Sequence, residues 1–156
     1  MPVTSNIDPE SCNVFIQVWV DINALEPGQT AGVYVVDNQI ALGSTNEGSI
    51  ALNTVVSAGS RVCWSIVPID PQYNVQGMLS FSSITASSGW QHIPAPYAAP
   101  GQKAGNPAIF TGVIDPSTTG GNLIEGMSCN YENGVASWSG NLPANITIAA
   151  VNGAQS

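Results

Sequence analysis

The chain has 156 residues, 44% of them hydrophobic, with a mean hydropathy of +0.15, which allows one domain with a sizeable core and excludes a disordered composition. Only 8% of residues are charged and the formal net charge is −8, against roughly 25% charged residues in an average soluble domain. Arg61 and Lys103 are the sole Arg and Lys residues, so the several basic groups that polyphosphate binding needs are missing, which excludes nucleic acid and anionic membrane surfaces as partners.

The first ten residues, "MPVTSNIDPE", have neither the basic stretch nor the apolar stretch of an export signal. No apolar run approaches the ~18 residues of a membrane span. A cytoplasmic location is therefore expected, with export by an unrecognised route as the alternative. The stretch "FIQVWVDI" then alternates cleanly. Val14, Ile16, Val18, Val20 and Ile22 point one way; Phe15, Gln17, Trp19 and Asp21 point the other. This period of two predicts a strand over 13–23 with an apolar core face. The strand is expected to be central, with Phe15, Gln17 and Trp19 forming a packing face or an interface with another copy, and Asp21 at the exposed end.

Further strands are predicted at 31–38, 48–56, 60–69, 75–84, 107–115, 122–131, 134–140 and 145–151, giving about nine in all. In "SRVCWSIV", Val62, Trp64 and Ile66 alternate with Arg61, Cys63 and Ser65; in "ITIAAV", Ile146 and Ile148 alternate with Thr147 and Ala149. Turn signals separate the runs: Glu26-Pro27-Gly28, Ser57-Ala58-Gly59-Ser60, Asp70-Pro71, Asp115-Pro116 and Gly120-Gly121. Asn133-Gly134 is the sharpest, because both positions tolerate positive φ, so 122–131 and 134–140 should pair as a hairpin. No segment of helical length carries apolar residues at i, i+3, i+4 and i+7. Sixteen glycines and 11 prolines would break most candidates. The expectation is a single all-β domain over 1–156, an antiparallel, jelly-roll-like β-sandwich.

One segment breaks the rhythm. "HIPAPYAAPGQKAGNP", His92 to Pro107, holds Pro94, Pro96, Pro100 and Pro107. Proline donates nothing to a ladder, so this cannot be a central strand. A long proline-rich loop at about 92–107 is expected, extended or polyproline-like, of the kind that often carries function.

The inventory for chemistry is poor. His92 is the single imidazole, and "GMSCN" lacks the closing glycine of a nucleophile elbow, so no catalytic triad is assembled. Asp21, Asp37, Glu47, Asp70, Asp115, Glu125 and Glu132 mostly lie in or beside turns, where Asp commonly caps its own backbone. No catalytic residue is assigned and no enzyme is expected. No metal or cofactor is expected either. Calcium is the ion left open, because Asp37-Asn38, Asn46-Glu47 and Asp70 could converge at one end of a sandwich, although no DxDxDG-type loop is present.

Cys12, Cys63 and Cys129 have no CxxC or Cys/His spacing. Three reduced thiols is the simpler arrangement; one disulfide with a free thiol also fits. Asn145-Ile146-Thr147 matches a glycosylation sequon inside a predicted strand. Trp90, His92 and Tyr97 lie together in a polar stretch, chemistry suited to a glycan, since one sugar face is apolar and its rim is hydroxyl-rich. Against this, sandwich aromatics usually pack in the core.

The order of features resembles that of the small AidA/PixA-type inclusion body proteins. These open with a strand of pattern V-x-V-x-V-D, here "IQVWVDI", Ile16 to Ile22. A central strand pair then leads into V-x-W, here "GSIALNTVVSAGSRVCWSI", Gly48 to Ile66. They close with an aromatic, a proline-containing turn and an I-T-I strand, here "WSGNLPANITIAAV", Trp138 to Val151. The usual aromatic followed by Asp-Pro is here "NLPAN", and about 70–107 matches nothing in the pattern. The resemblance implies an all-β, non-enzymatic protein of a family sometimes accumulated in inclusions and linked to stress. Together with the scarcity of charge, it predicts a protein that partners itself as a homo-oligomer; the alternative is a lectin-like module that binds a glycan through loop aromatics.

Overall fold

The computed structural model describes residues 4–70, 72, 79–102, 104–132 and 137–149. Ten strands form among them: β1 (Val14–Val20), β2 (Val33–Asp37), β3 (Asn53–Val56), β4 (Arg61–Pro68), β5 (Leu79–Ala86), β6 (Trp90–Tyr97), β7 (Asn106–Ile114), β8 (Ile124–Glu132), β9 (Ser137–Leu142) and β10 (Asn145–Ile148). Single 3-10 turns at Pro9–Ser11, Ile22–Ala24 and Ile40–Leu42 are the helical pieces among the described residues. No helix among them is long and apolar enough to cross a membrane.

A five-stranded sheet runs in the order β2-β1-β4-β7-β6, facing a three-stranded sheet, β5-β8-β9, and a pair, β10-β3. The Leu123 N–H donates to the Ile146 carbonyl at 3.0 Å, tying the pair to the root of β8 so that both smaller sheets form one opposing layer. The alternation in sequence builds the core between the layers. Val14, Ile16, Val18 and Val20 of β1 and Val62, Trp64 and Ile66 of β4 meet Phe81, Met127, Tyr131, Trp138 and Ile146 from the other side. Phe81 and Phe110 lock the layers together edge to face, with ring centroids 5.5 Å apart. The all-β, sandwich-like expectation therefore holds, and β1 is central as predicted.

Three details differ from the sequence reading. First, the sandwich is not wholly antiparallel: β1 runs parallel to β4, and β10 parallel to β3. After the β1–β2 hairpin the chain crosses to the opposite layer for β3 before returning as β4, and such a crossover delivers a parallel neighbour. Second, the strand expected at 48–56 is confined to Asn53–Val56, because Ser49 and Asn46 turn the chain just before it, with Leu52 N–H on Ser49 O and Ser49 N–H on Asn46 O. Third, the loop expected at about 92–107 is strand over its first part. β6 sits at the sheet edge and pairs with β7 through register shifts, the one sheet position that tolerates Pro94 and Pro96. Its open side is met by Ser5, whose N–H donates to Pro96 O at 2.8 Å and whose carbonyl accepts from Ala98 N–H at 2.9 Å.

The expected hairpin is present as antiparallel β8–β9 pairing from Glu132↔Ser137 to Met127↔Leu142; Asn133-Gly134 lies outside the described residues. Gly59, at φ +82°, makes the turn in which Ser60 N–H reaches Ser57 O, a backbone conformation that favours glycine.

Candidate functional site

The face of the large sheet that points away from the core divides into two halves. Over β4, β7 and β6 lies the N-terminal segment. Its Ser5 hydroxyl bonds the Thr111 hydroxyl at 2.6 Å, and Cys12, Cys63, Ala95, Ala98 and Val113 are buried outside the main core. Over β2, β1 and the far end of β4, no second layer of described residues is laid down. There the registry sets Trp19 between Tyr34 and Val67, and Gln17 between Val36 and Ser65. Phe15, Tyr34 and Ile69 are 38%, 45% and 46% exposed. Trp19 is half-buried, its indole N–H donating to Gln17 Oε1 at 3.2 Å. The predicted Phe15/Gln17/Trp19 group is thus one edge of a larger apolar face. Tyr34, Val36, Val67 and Ile69 were not singled out from sequence, because only strand pairing places them beside β1.

Trp90, His92 and Tyr97 share β6 but not one surface. The Trp90 ring packs against the Trp64 ring at 5.8 Å and its N–H donates to the Leu123 carbonyl at 2.8 Å, so it faces the core. His92 is exposed two residues on. Tyr97 lies at the far end of the strand, about 20 Å from Trp90 at the usual rise per residue. It lines an open cavity of about 460 Å³ with Pro9, Gln102, Asn106 and Pro107.

Of the acids considered for calcium, Asp37 and Glu47 are brought together: the Asp37 backbone N–H donates to Glu47 Oε1 at 3.0 Å. Asp70 instead caps its own turn through Gln72 N–H at 2.9 Å. Among the described residues no cluster of three or more His, Cys, Asp or Glu side chains is placed to hold a metal. All three cysteines are free and buried. The neighbouring Cys63 thiol lowers the Cys12 pKa, with burial opposing and Arg61 assisting; Cys12 and burial raise that of Cys63. Burial alone pushes Cys129 up to about 12.

The fold and its uncovered face define an all-β, sandwich-like domain with an apolar outer surface. Residues 12–123, from the entry of β1 to the root of β8, match a family model described as "Domain of unknown function (DUF8788)". The chain belongs to that family. Comparison with curated proteins finds no match. Among solved structures, the chain is similar to the crystal structure of an inclusion body protein, PixA, from Burkholderia cenocepacia J2315. The identity is 14% and the TM-score 0.47, over 93% of this chain and 99% of that one.

Proposed function

We propose that this is a non-enzymatic β-sandwich protein that associates with further copies of itself through the outer face of β2, β1 and β4. The observation that carries the reading is the apolar face of Phe15, Trp19, Tyr34, Val36, Val67 and Ile69, over which no described segment is laid. The occupant is a second copy. Asp21 and Arg61 stand at opposite ends of this face, since Ile69 rather than Arg61 is the β4 neighbour of the Asp21 end, where its N–H meets Val20 O. A two-fold contact with antiparallel strands would set Asp21 of each copy toward Arg61 of the other, the self-complementarity a symmetric dimer requires. The scarcity of Lys and Glu, which interfaces deplete, supports the same reading.

The size of the face sets the strength. Three strands about 4.8 Å apart and about seven residues at 3.4 Å make a surface of roughly 14 by 20 Å. That is roughly 300 Å² per copy, well under the ~800 Å² per partner of a standard specific interface, so the face supports only a weak, transient contact. The association is therefore weak and concentration-dependent. Sedimentation over a wide concentration range tests it: the average mass should rise smoothly above that of the monomer, and a constant monomer mass at the highest concentration reached would refute it.

A glycan-binding reading now rests on the Tyr97 cavity rather than on Trp90, since an aromatic ring beside the amides Gln102 and Asn106 suits a sugar. Its test is a glycan array read with wild type and Tyr97→Ala: a hit lost in the variant supports it, and no hit refutes it.

A further inference from the structure

The end of β2, the turn that follows it and β3 bring buried oxygens together between the two layers. The Asp37 carboxyl enters from β2, the Glu47 carboxyl from the turn and the Thr54 hydroxyl from β3. Hydrogen bonds fix one oxygen of each acid: Asp37 Oδ1 accepts from Gln39 N–H at 2.8 Å, and Glu47 Oε1 from Asp37 N–H at 3.0 Å. The other oxygens, Asp37 Oδ2 and Glu47 Oε2, are buried with no hydrogen-bond partner, and so is Thr54 Oγ1. Thr54 is only 1% exposed. Its hydroxyl and that of Ser44 face the Asp37 carboxyl closely enough to stabilise its charge, and Ser44 Oγ is held in place by Val55 N–H at 3.0 Å.

Buried polar atoms are almost always partnered, and each exception needs a cause. A proton shared by the two carboxyls would join Asp37 to Glu47, with the Thr54 hydroxyl beside Asp37. A cation at about 2.4 Å from each oxygen would satisfy all three at once. The ligands are oxygen only and lie on an irregular turn, which suits a hard ion of flexible coordination rather than zinc or copper. We propose that Asp37, Glu47 and Thr54, with Ser44 beside them, form a divalent-cation site of the calcium class, completed by water, that clamps the turn after β2 between the two layers of the sandwich.

The local charges agree with this. Burial first, then the hydrogen bond and repulsion from Asp37, push Glu47 up to about 7. For Asp37, burial raises the pKa, but the close approach of Glu47, Thr54 and Ser44 and the Gln39 N–H bond outweigh it and hold it low. Besides Glu47, Asp37 faces neutral groups, Thr54 from β3 and Ser44 from the turn.

The test is a calorimetric titration of the EDTA-treated, desalted protein with CaCl₂ alone at pH 8, repeated with MgCl₂. One saturable event per chain is expected. Glu47→Gln and the near-isosteric Thr54→Val should each weaken it at least about tenfold. Should Glu47→Gln fail to fold, Thr54→Val still decides the matter. No saturable binding up to about 10 mM CaCl₂, beyond even weak extracellular sites, would overturn the proposal. So would binding that both variants leave unchanged, which would put the ion elsewhere. If Glu47→Gln merely stabilises a chain that ignores calcium, the pair shares a proton and the site is refuted.

Discussion

Trp19 stands directly across the β1–β2 ladder from Tyr34, on the face of the sheet turned away from the core. Two large rings held side by side by strand register form a rigid surface that loses little entropy when it is covered. The cross-strand pair belongs to the folded sheet, so removing one ring should change what the face binds more than whether the domain folds.

Because each chain carries a net charge of −8, copies repel one another at long range. Screening lengths fall from about 30 Å at 0.01 M salt to about 10 Å at 0.1 M. Light scattering should therefore show the average mass rising between those salt concentrations. A fall would mean that attraction between unlike charges, not the apolar face, drives assembly.

The two tryptophans in contact separate packing from capping. Trp64 is 1% exposed at the centre of β4, so Trp64→Ala should cost about 3–5 kcal/mol in denaturant unfolding. Trp90→Phe keeps a ring against Trp64 but removes the bond to Leu123 O, and about 1 kcal/mol is expected. Equal losses in the two variants would show that the indole N–H matters more than burial.

Stability should also report on Glu47. Its folded pKa is raised to about 7 from 4.5, so the folded state holds a proton that the unfolded chain has released. That contribution is complete below about 4.5 and is lost as pH rises through about 7. Asp37 acts oppositely, its contribution being lost as pH falls below its ordinary value. Allowing for solvent screening, Glu47 should account for roughly 1 kcal/mol of decline between pH 4.5 and 8. Unfolding of Glu47→Gln without calcium should lose that decline; an unaltered pH profile would show that Glu47 ionises normally.

Among the thiols, Cys12 is the one whose pKa is lowered, whereas Cys63 and Cys129 are raised. The thiolate is the reactive form. Peptide mapping after brief alkylation of the native protein near pH 7.5 should find Cys12 labelled first. Labelling of Cys129 ahead of it would contradict this ordering, since only local unfolding exposes that residue.

The alternation of Val14, Ile16, Val18 and Val20 made the layer structure legible, because burial on one face leaves a period of two in the sequence. Strand direction leaves no such mark, which is why the parallel β1–β4 pairing came only from the fold. Pro94 and Pro96 correctly barred β6 from the sheet centre but also concealed it as an edge strand. The convergence of Asp37 and Glu47 could be listed from sequence, but Thr54 could not, being one more strand residue until β3 turns its hydroxyl toward the acids. Trp90 and Tyr97 are close in sequence yet far apart in space, since an extended chain separates in a few residues what a helix would keep together.

The self-association reading is tested most directly by light scattering on Trp19→Lys beside Ile93→Lys at one high concentration. Both replace an apolar side chain on a strand, Ile93 being exposed on β6, away from the β2–β1–β4 face. Trp19→Lys should reduce the protein to folded monomer while Ile93→Lys assembles like wild type. If Trp19→Lys assembles unchanged, or Ile93→Lys is the variant that dissociates, copies do not meet through this face.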